Sequence, residues 1–427
     1  MNSVLESGLA FSATSGIERM TPHQPGTEGS QRVPRTVWAL GLVSMFMDLS
    51  SEIIHALLPL FLTTTLGVSI VMVGLIDGIA EATASISKVF SGYISDRMGR
   101  RKPLILLGYG LGALSKPLFA LAGSAPIVLG ARFADRIGKG LRGAPRDALV
   151  ADVTPEAIRG RAFGLRQSLD TIGAFAGPLL AMVLMVAFAN DMRSVFWVAV
   201  IPAVLAVLCV IFGVDEAPHV AHAKPARPPI AFADLAKLDR PFWIVVAIGV
   251  VFTLARFSEA FLILKASAEG LPLALAPAVL VVMNIVYALG AYPAGIASDK
   301  YPAHLLLGWG LAFLILADLA LAFGPGLIGA FIGIALWGLH MALTQGLMAK
   351  LVADRAPAAL RGSAYGVFSL ATGVTMLLAS LLAGVLWDGL GSGATFLAGG
   401  SFACIALVGL IMTKSRLSVT IPKTTPN

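Results

Sequence analysis

Charged side chains lie inside long apolar segments of this sequence, where a charge is costly. Asp48 and Glu52 are one helical turn apart in the first such segment, and His55 follows on the same helical face. A charge near the centre of a bilayer costs about 2.5–3.5 kcal/mol on insertion scales, so an ionisable group there indicates a functional site. A desolvated carboxylate holds a proton near neutral pH and releases it when a cation approaches. These acids are therefore predicted to bind and release protons.

The same reasoning selects two sets of candidates. The predicted proton-coupling acids are Asp48, Glu52, Glu81 and Asp170. The predicted solute-binding residues, which offer a charge or a polar amide, are Lys116, Arg132, Arg136, Lys139, Arg256, Glu259 and Asn284. An alternative interpretation is that the acids are static partners of the basic residues and tie neighbouring helices together. Most of these charges lie in the first half of the chain, which predicts that coupling resides there.

The elements that carry these residues are predicted to be membrane-spanning helices. Of the 427 residues, 57% are hydrophobic and 13% are charged, values that a water-soluble domain does not reach. A span needs about 20 apolar residues. Runs of that kind predict twelve helices, over 37–62, 70–95, 103–123, 126–150, 161–189, 193–213, 241–265, 272–297, 303–323, 326–350, 363–387 and 393–412. The predicted fold is an all-α membrane protein with twelve transmembrane helices.

The fourth helix depends on an internal repeat, because its stretch 132–147 is too charged for hydropathy alone. Segment 151–164 recurs as 353–366, at a constant offset of 202 residues. Ser51-Glu52 also recurs as Ser258-Glu259, at a slightly different offset. Repetition at this spacing indicates duplication of a six-helix unit, in which the fourth helix corresponds to an apolar one.

The repeat divides the chain into two pseudo-symmetric six-helix bundles. The predicted parts are a disordered cytoplasmic tail (1–35), the N-terminal bundle (36–213), a cytoplasmic linker (214–239), the C-terminal bundle (240–413) and a second cytoplasmic tail (414–427). Lys and Arg concentrate in alternate connections, such as Arg97 to Lys102, whereas connections such as 66–69 carry no charge. By the positive-inside rule both termini are predicted to be cytoplasmic.

Composition excludes several other classes of protein. Cys209 and Cys404 stand alone in separate apolar runs and indicate neither a disulfide framework nor a metal site. The net charge of +7 lies mostly at span ends, so it reflects topology rather than nucleic-acid binding. The motifs of metalloproteases, serine hydrolases and phosphate-binding loops are missing. The chain is predicted to be no enzyme, to need no cofactor, and to sit in the cell membrane as a monomer.

The segment Gly92 to Lys102 carries a family resemblance. It resembles the cytoplasmic G-x-x-x-D-R-x-G-R-R loop of the major facilitator superfamily, whose fold has two six-helix halves and cytoplasmic termini. That likeness implies that Asp96 braces a neighbouring helix end while the arginines pair with acids across a cytoplasmic gate. The gate residues implied by it and by the repeat are Gly92, Asp96, Arg97, Gly99, Arg100, Arg101 and Asp299.

Two further segments bear on function. Gly173, Gly177 and Pro178 are similar to the G-x-x-x-G-P signature of family members that exchange a drug for protons, although Ala181 and Met182 replace its final glycines. Gly-x-x-x-Gly is also ordinary helix-contact chemistry. Arg136-x-x-x-Gly140 resembles the family's fourth-helix pattern for proton handling.

The resemblance implies a secondary active transporter that works by alternating access and is driven by the proton motive force. Proton-coupled export of a drug-like or toxic compound is the favoured interpretation, on the fifth-helix segment. Uptake or exchange of an anionic metabolite or a metal chelate is the alternative, on the basic density of the fourth helix and Lys116. A membrane sensor that transports nothing is a third interpretation.

Overall fold

The computed structural model describes residues 32–216, 237–344, 347–356 and 360–417. Every regular element among them is helical, as the sequence predicts. The helices are α1 (Arg35–Thr65), α2 (Ile70–Met98), α3 (Lys102–Leu121), α4 (Ala125–Val153), α5 (Arg159–Ala187), α6 (Met192–Gly213), α7 (Arg240–Ala268), α8 (Ala278–Lys300), α9 (Ala303–Phe323), α10a (Gly326–Thr344), α10b (Leu347–Arg355), α11 (Arg361–Leu390) and α12 (Ser392–Leu417). The predicted linker 214–239 and both predicted tails lie largely outside the described residues.

The outer surface of the helical bundle is apolar. Eleven helices in the described part of the chain are long and apolar enough to cross a membrane. Large apolar side chains point outwards, with Phe212 82% and Leu114 73% exposed. Such a surface is costly in water and favourable against lipid tails. The prediction of an all-helical, multi-pass membrane protein is confirmed.

Helix α4 is the exception in composition. The prediction of a helix here is confirmed, since Ala125–Val153 is continuous over 29 residues. It falls outside the set of apolar spans because it carries Arg132, Asp135, Arg136 and Arg142, all of which it buries against other helices. These four buried charges thus face protein rather than lipid.

Two helices predicted to be continuous are broken. In α1 the first segment ends at His55, because Pro59 offers no N–H to the carbonyl of residue 55 and its ring crowds that position. In α7 the prediction of one helix over 241–265 is wrong: α7 consists of Arg240–Ala255 and Ala260–Ala268. The Ser258 hydroxyl accepts the N–H of Ala260 at 3.1 Å and so caps the second segment.

Helices α1 to α6 form the first part of the chain and helices α7 to α12 the second part, and the helices pack in the same way in both. In the first part α1 packs on α5 and α6, α2 on α4, and α3 on α4 and α6. In the second part α7 packs on α11 and α12, α8 on α10a, and α9 on α10a and α12. Each pairing in the first list has its counterpart six helices later in the second.

The two parts meet most extensively along α2 and α11. Glycines let these backbones approach, since a Cβ on Gly74 would lie 2.2 Å from the carbonyl oxygen of Ser380. A Cβ on Gly384 of α11 would lie 2.7 Å from the Cα of Val71. At the same end, the Asp388 carboxylate of α11 accepts the first N–H groups of α2, from Ile70 at 3.3 Å and Val71 at 3.0 Å. The start of α2 is therefore capped by the other part of the chain.

Gly74→Ala is expected to lower the free energy of unfolding by about 1–3 kcal/mol, because the added methyl group overpacks the contact between α2 and α11. Unfolding of the purified protein in mixed detergent micelles measures this. Gly110→Ala on α3 is the matched control, since no atom lies within 4 Å of the position that its Cβ would take. Equal stability of the two variants would contradict so close a contact.

Candidate functional site

A polar cavity of about 230 Å³ lies between the two parts of the chain. Helices α1, α2, α4, the break in α7, and α11 contribute its wall. The lining residues are Glu52, His55, Glu81, Arg136, Lys139, Arg256, Phe257, Ser258, Glu259 and Met376. The wall therefore holds three acids, three bases and a histidine, an arrangement that can bind opposite charges on one small solute.

Inside the cavity some charges are paired and others are not. Arg136 Nη2 lies 3.3 Å from Glu81 Oε1, which joins α4 to α2. Arg256 Nη2 lies 3.8 Å from Glu259 Oε1 across the break in α7. Glu52 and Lys139 line the same cavity, and no ion pair within 4 Å engages either of them in the described part of the chain. Within the described lining, these two charges are therefore the ones left without an ion-pair partner in the protein.

A hydrogen-bonded chain that runs from the cavity lining into the helix contacts behind it connects the two parts of the protein. Arg132 Nη2 donates to His55 Nδ1 at 2.8 Å and to Asp77 Oδ1 at 3.1 Å. The other oxygen of Asp77 accepts the Ser258 hydroxyl from α7 at 2.6 Å. Because His55 Nδ1 accepts, this imidazole is neutral and carries its hydrogen on Nε2. Asp77 thus binds one donor from each part of the chain.

Lys116, a predicted solute-binding residue, lies outside the cavity lining. Its side chain is buried, and Nζ donates to Asp135 Oδ1 at 2.8 Å and to the Ser51 hydroxyl at 3.0 Å. The pair joins α3 to α4. Arg132 is likewise buried and engaged, so the structure places both residues in the helix contacts behind the cavity.

The remaining predicted acids lie nearer the end of the bundle that holds Asp147. Asp170 lies 3.8 Å from Arg146 Nη1 and 3.6 Å from Arg166 Nη1. Asp48 is half-buried and interacts electrostatically with Asp170 and Lys139, with no ion pair of its own among the described residues. The predicted acids therefore fall into two groups: Glu81 and Asp170 are paired with arginine, whereas Asp48 and Glu52 are not. Asn284 is half-buried on α8, away from the cavity lining.

The loop between α2 and α3 forms a charge cluster. Arg101 makes an ion pair with Asp96 and, at 3.3 Å, with Asp152, while the Glu216 carboxylate accepts its backbone N–H at 2.5 Å. Burial works against the charge of Arg101, but Asp96 and Asp152 outweigh it and raise its pKa above the ordinary value. Asp96 and Asp152 belong to the first part of the chain, and Glu216 follows the end of α6. Asp96 thus braces Arg101 at the start of α3.

The other predicted gate residues shape this loop or face outwards. Gly99 ends α2 at φ +64°, a conformation that favours glycine. Arg97 donates to the Tyr93 hydroxyl at 3.1 Å, and Arg100 is exposed. Gly92 packs against Ala144 of α4. The Asp299 side chain lies outside the described part of the chain.

The fifth-helix segment has a structural role in the site. A Cβ on Gly173 would lie 2.2 Å from the carbonyl oxygen of Met45, and one on Gly177 would lie 2.5 Å from the Cβ of Glu52. These glycines therefore allow α5 to press on α1 directly behind a cavity acid. Pro178 follows within the helix.

Sequence reasoning left His55, Asp77, Asp135, Ser258 and Met376 out of the site. The recurrence of Ser51-Glu52 as Ser258-Glu259 was the available signal for Ser258. Both serines bind a buried charge, Lys116 and Asp77 respectively, and both glutamates line the cavity. A weak repeat in the sequence thus marked two matching parts of the site.

A charged cavity enclosed by apolar helices is typical of proteins that move polar solutes through membranes. The model of the Major Facilitator Superfamily matches residues 40–373 and 270–426, and the chain belongs to this family. It is a secondary transporter and not an enzyme. The resemblance in the loop between α2 and α3 is thereby confirmed as a family relationship.

Individual relatives agree with this assignment. An uncharacterised MFS-type transporter of Methanocaldococcus jannaschii is 31% identical over 396 residues, which are 91% of this chain and 97% of that protein. The multidrug resistance protein MdtH of Proteus mirabilis is 32% identical over 157 residues, 37% of this chain and 38% of that one. A crystal structure of a D-xylose–proton symporter shares the fold, with a TM-score of 0.71 and 16% identity over 88% of this chain and 96% of that chain.

Lys116→Met is expected to lower the free energy of unfolding by about 3–5 kcal/mol, because it leaves Asp135 buried without its partner. The double variant Lys116→Met with Asp135→Leu is expected to recover most of that loss, since no charge then stays buried and unpaired. Unfolding in mixed micelles measures both.

Lys88→Met, at an exposed lysine of α2, is the control and should have little effect. Additive losses in the double variant would show that Lys116 is not held by Asp135.

Proposed function

We propose that this chain is a proton-coupled transporter of the cell membrane that moves a small charged solute by alternating access. The observation that carries the proposal is the cavity in which Glu52 and Lys139 stay unpaired among opposite charges. A carboxylate there can take a proton, and an ammonium group there can hold a cargo carboxylate or phosphate. Binding of the one alters the cost of binding the other.

Residues 36–213 and 240–413 are proposed to be two six-helix bundles that rock about this cavity. The repeated helix pairings support this division. Helix α4 is then the twelfth span, because its charges face protein and its helix partners are apolar spans. The basic loop around Arg101 supports a cytoplasmic location for the chain termini by the positive-inside rule. We propose that the monomer is the working unit.

The cavity favours a small polar cargo over a large lipophilic one. Sites for drug-sized ligands have volumes of roughly 300–1,000 Å³ and largely apolar walls. This cavity is smaller, and charged side chains make most of its wall. An anionic or zwitterionic metabolite, or an anionic chelate, therefore fits better than a lipophilic drug.

Export by exchange with protons is the proposed direction. The Gly173, Gly177 and Pro178 segment supports it, since it resembles part of an exporter signature and presses on α1 beside Glu52. The partial likeness to MdtH of Proteus mirabilis supports a second candidate, export of a drug-like compound. Both candidates use the same cavity acids, and the cargo distinguishes them.

Proteoliposomes with an internal pH-sensitive dye test the function. A panel of carboxylates, amino acids and phosphate esters, together with a lipophilic cationic dye, is added under an imposed pH gradient. We expect a small anion or zwitterion to drive protons across the membrane in the opposite direction, in protein-containing vesicles alone. Proton movement with the lipophilic dye only would favour the second candidate, and no movement with any solute or gradient would overturn the proposal.

Glu52→Gln is expected to abolish concentrative transport while cargo exchange at equal pH on both sides continues, because the neutral amide cannot bind or release a proton. Flux of the identified cargo with and without a pH gradient measures this. Glu156→Gln is the matched control, since the Glu156 side chain is 92% exposed outside the cavity. Concentrative transport by Glu52→Gln at the wild-type level would remove Glu52 from coupling.

Lys139→Gln is expected to raise the KM for an anionic cargo about tenfold, because a charge-assisted hydrogen bond contributes about 1.5–3 kcal/mol. Cargo titration in equal-pH exchange measures KM without the coupling step. Lys88→Gln, outside the cavity lining, should leave KM unchanged. An unchanged KM in both variants would show that the cargo charge binds elsewhere.

A further inference from the structure

A carboxylate in the second part of the chain takes no part in the cavity. Asp318 of α9 is 1% exposed, and neither of its oxygens has a hydrogen-bond partner among the described residues. No cation lies within ion-pair distance of it in the described part of the chain. An ionised carboxylate left in this way costs several kcal/mol or more, which native proteins avoid by neutralising the group.

The surroundings of Asp318 offer acceptors rather than donors. A Cβ on Gly399 of α12 would lie 3.0 Å from Asp318 Oδ2 and 3.3 Å from the carbonyl oxygen of Ala255. The carboxyl group and this carbonyl therefore face the same small space above a glycine. Ala255 ends the first segment of α7, where carbonyls lack helical partners and the helix dipole is negative. A carboxylate at this end is repelled, whereas a group with a hydrogen to donate is attracted.

We propose that Asp318 is a proton-binding site, distinct from the cavity acids, at which a bound proton joins α9 to the broken end of α7. The protonated group donates its hydrogen towards the free carbonyls of α7 and carries no charge. A sodium ion would need several more oxygen ligands than this glycine-lined space presents, so the proton is the ligand that fits.

Other titratable groups near this site are already engaged or lie apart from it. On the helices packed around Asp318 within the membrane region, they are His340, Arg256, Glu259, Lys265, Tyr287, Tyr292 and Cys404. None of them lies within hydrogen-bond or ion-pair distance of Asp318. His340 donates from Nδ1 to the carbonyl of Gly310 at 2.8 Å, and its ring packs between Phe252 and Trp337. No neighbour therefore compensates a negative charge at Asp318.

Phe257 lies between the Asp318 site and the cavity. Phe257 packs its ring beside Gly399, close to Asp318, while its neighbours Arg256 and Ser258 line the cavity. A proton at Asp318 would therefore also fix the geometry of the cavity wall, and this consequence rests on the proposed function. Proton binding itself does not, because it is measured without any cargo.

Equilibrium unfolding of the full-length protein in mixed micelles, from about pH 6 to about pH 8, tests the site. An unfolded Asp is ionised over this range, whereas the folded site holds its proton, so folding takes up one proton. Stability is therefore lost as pH rises. Relative to Asp318→Asn, the unfolding equilibrium constant of the wild type is expected to rise about tenfold per pH unit. Asp191→Asn, at an exposed helix N-terminus, should keep the wild-type slope.

Three outcomes would overturn the proposal. Parallel pH profiles for the wild type and Asp318→Asn would show that no proton is bound there. Stabilisation by sodium over an organic cation at equal ionic strength, lost in Asp318→Asn, would identify a sodium site instead. If Asp318→Asn and Asp318→Leu both fail to fold, the infrared spectrum of ¹³C-aspartate-labelled wild type decides. A protonated carboxyl band at about pH 7 that persists in Asp48→Asn supports the site, and its absence overturns it.

Discussion

The cost of burying a charge organises the first part of this protein. Helix α4 is too polar to face lipid, and three of its four buried charges meet an oppositely charged partner on another helix, while the fourth, Arg142, lies over the Tyr109 ring of α3. Arg132 binds Asp77 and Arg136 binds Glu81, both on α2, while Asp135 binds Lys116 on α3. Because an unpaired buried charge is far more costly than a paired one, α4 can occupy only the position and register that satisfy all three. The rest of the bundle is arranged around that requirement.

The cavity lining includes charged side chains that have no ion-pair partner among the described residues, besides the paired Arg136 and Glu81. Lys139 lies one turn beyond Arg136 on α4 and lines the cavity together with the half-buried Glu52 of α1, and neither makes an ion pair among the described residues. The break in α7 brings Arg256 and Glu259 to the same space, so the second part of the chain contributes charge as well as apolar wall. A site of this kind is balanced in charge, and it discriminates among solutes by where they place their own charges.

The sequence was sufficient for the helices and for the presence of buried charge, because apolar length and helical periodicity are local properties. The sequence could not show which buried charges bind each other. Lys116 and Asp77 are alike in sequence context, yet one is fixed in a helix contact and the other binds donors from both parts of the chain. It also missed the break in α7, since Arg256 to Glu259 contain neither Gly nor Pro and the break is stabilised by Ser258 and its tertiary partner. The sequence around Asp318 does not distinguish it from other isolated polar residues, whereas the structure shows that no hydrogen-bond donor reaches it in the described part of the chain.

The two hydrogen bonds of Asp77 affect how easily the two parts of the chain can separate. One carboxylate oxygen accepts from Arg132 within the first part, and the other accepts from Ser258 on α7. If the two bundles rock as proposed, separation at this level breaks the bond between Asp77 and Ser258 and keeps the bond between Asp77 and Arg132, because Arg132 and Asp77 lie within one bundle. The cost is that of a single charge-assisted hydrogen bond, about 1.5–3 kcal/mol, which ion or cargo binding nearby can offset. An ion pair spanning the bundles here would have raised that cost severalfold. The contact is thus strong enough to favour one conformation and weak enough to be reversed.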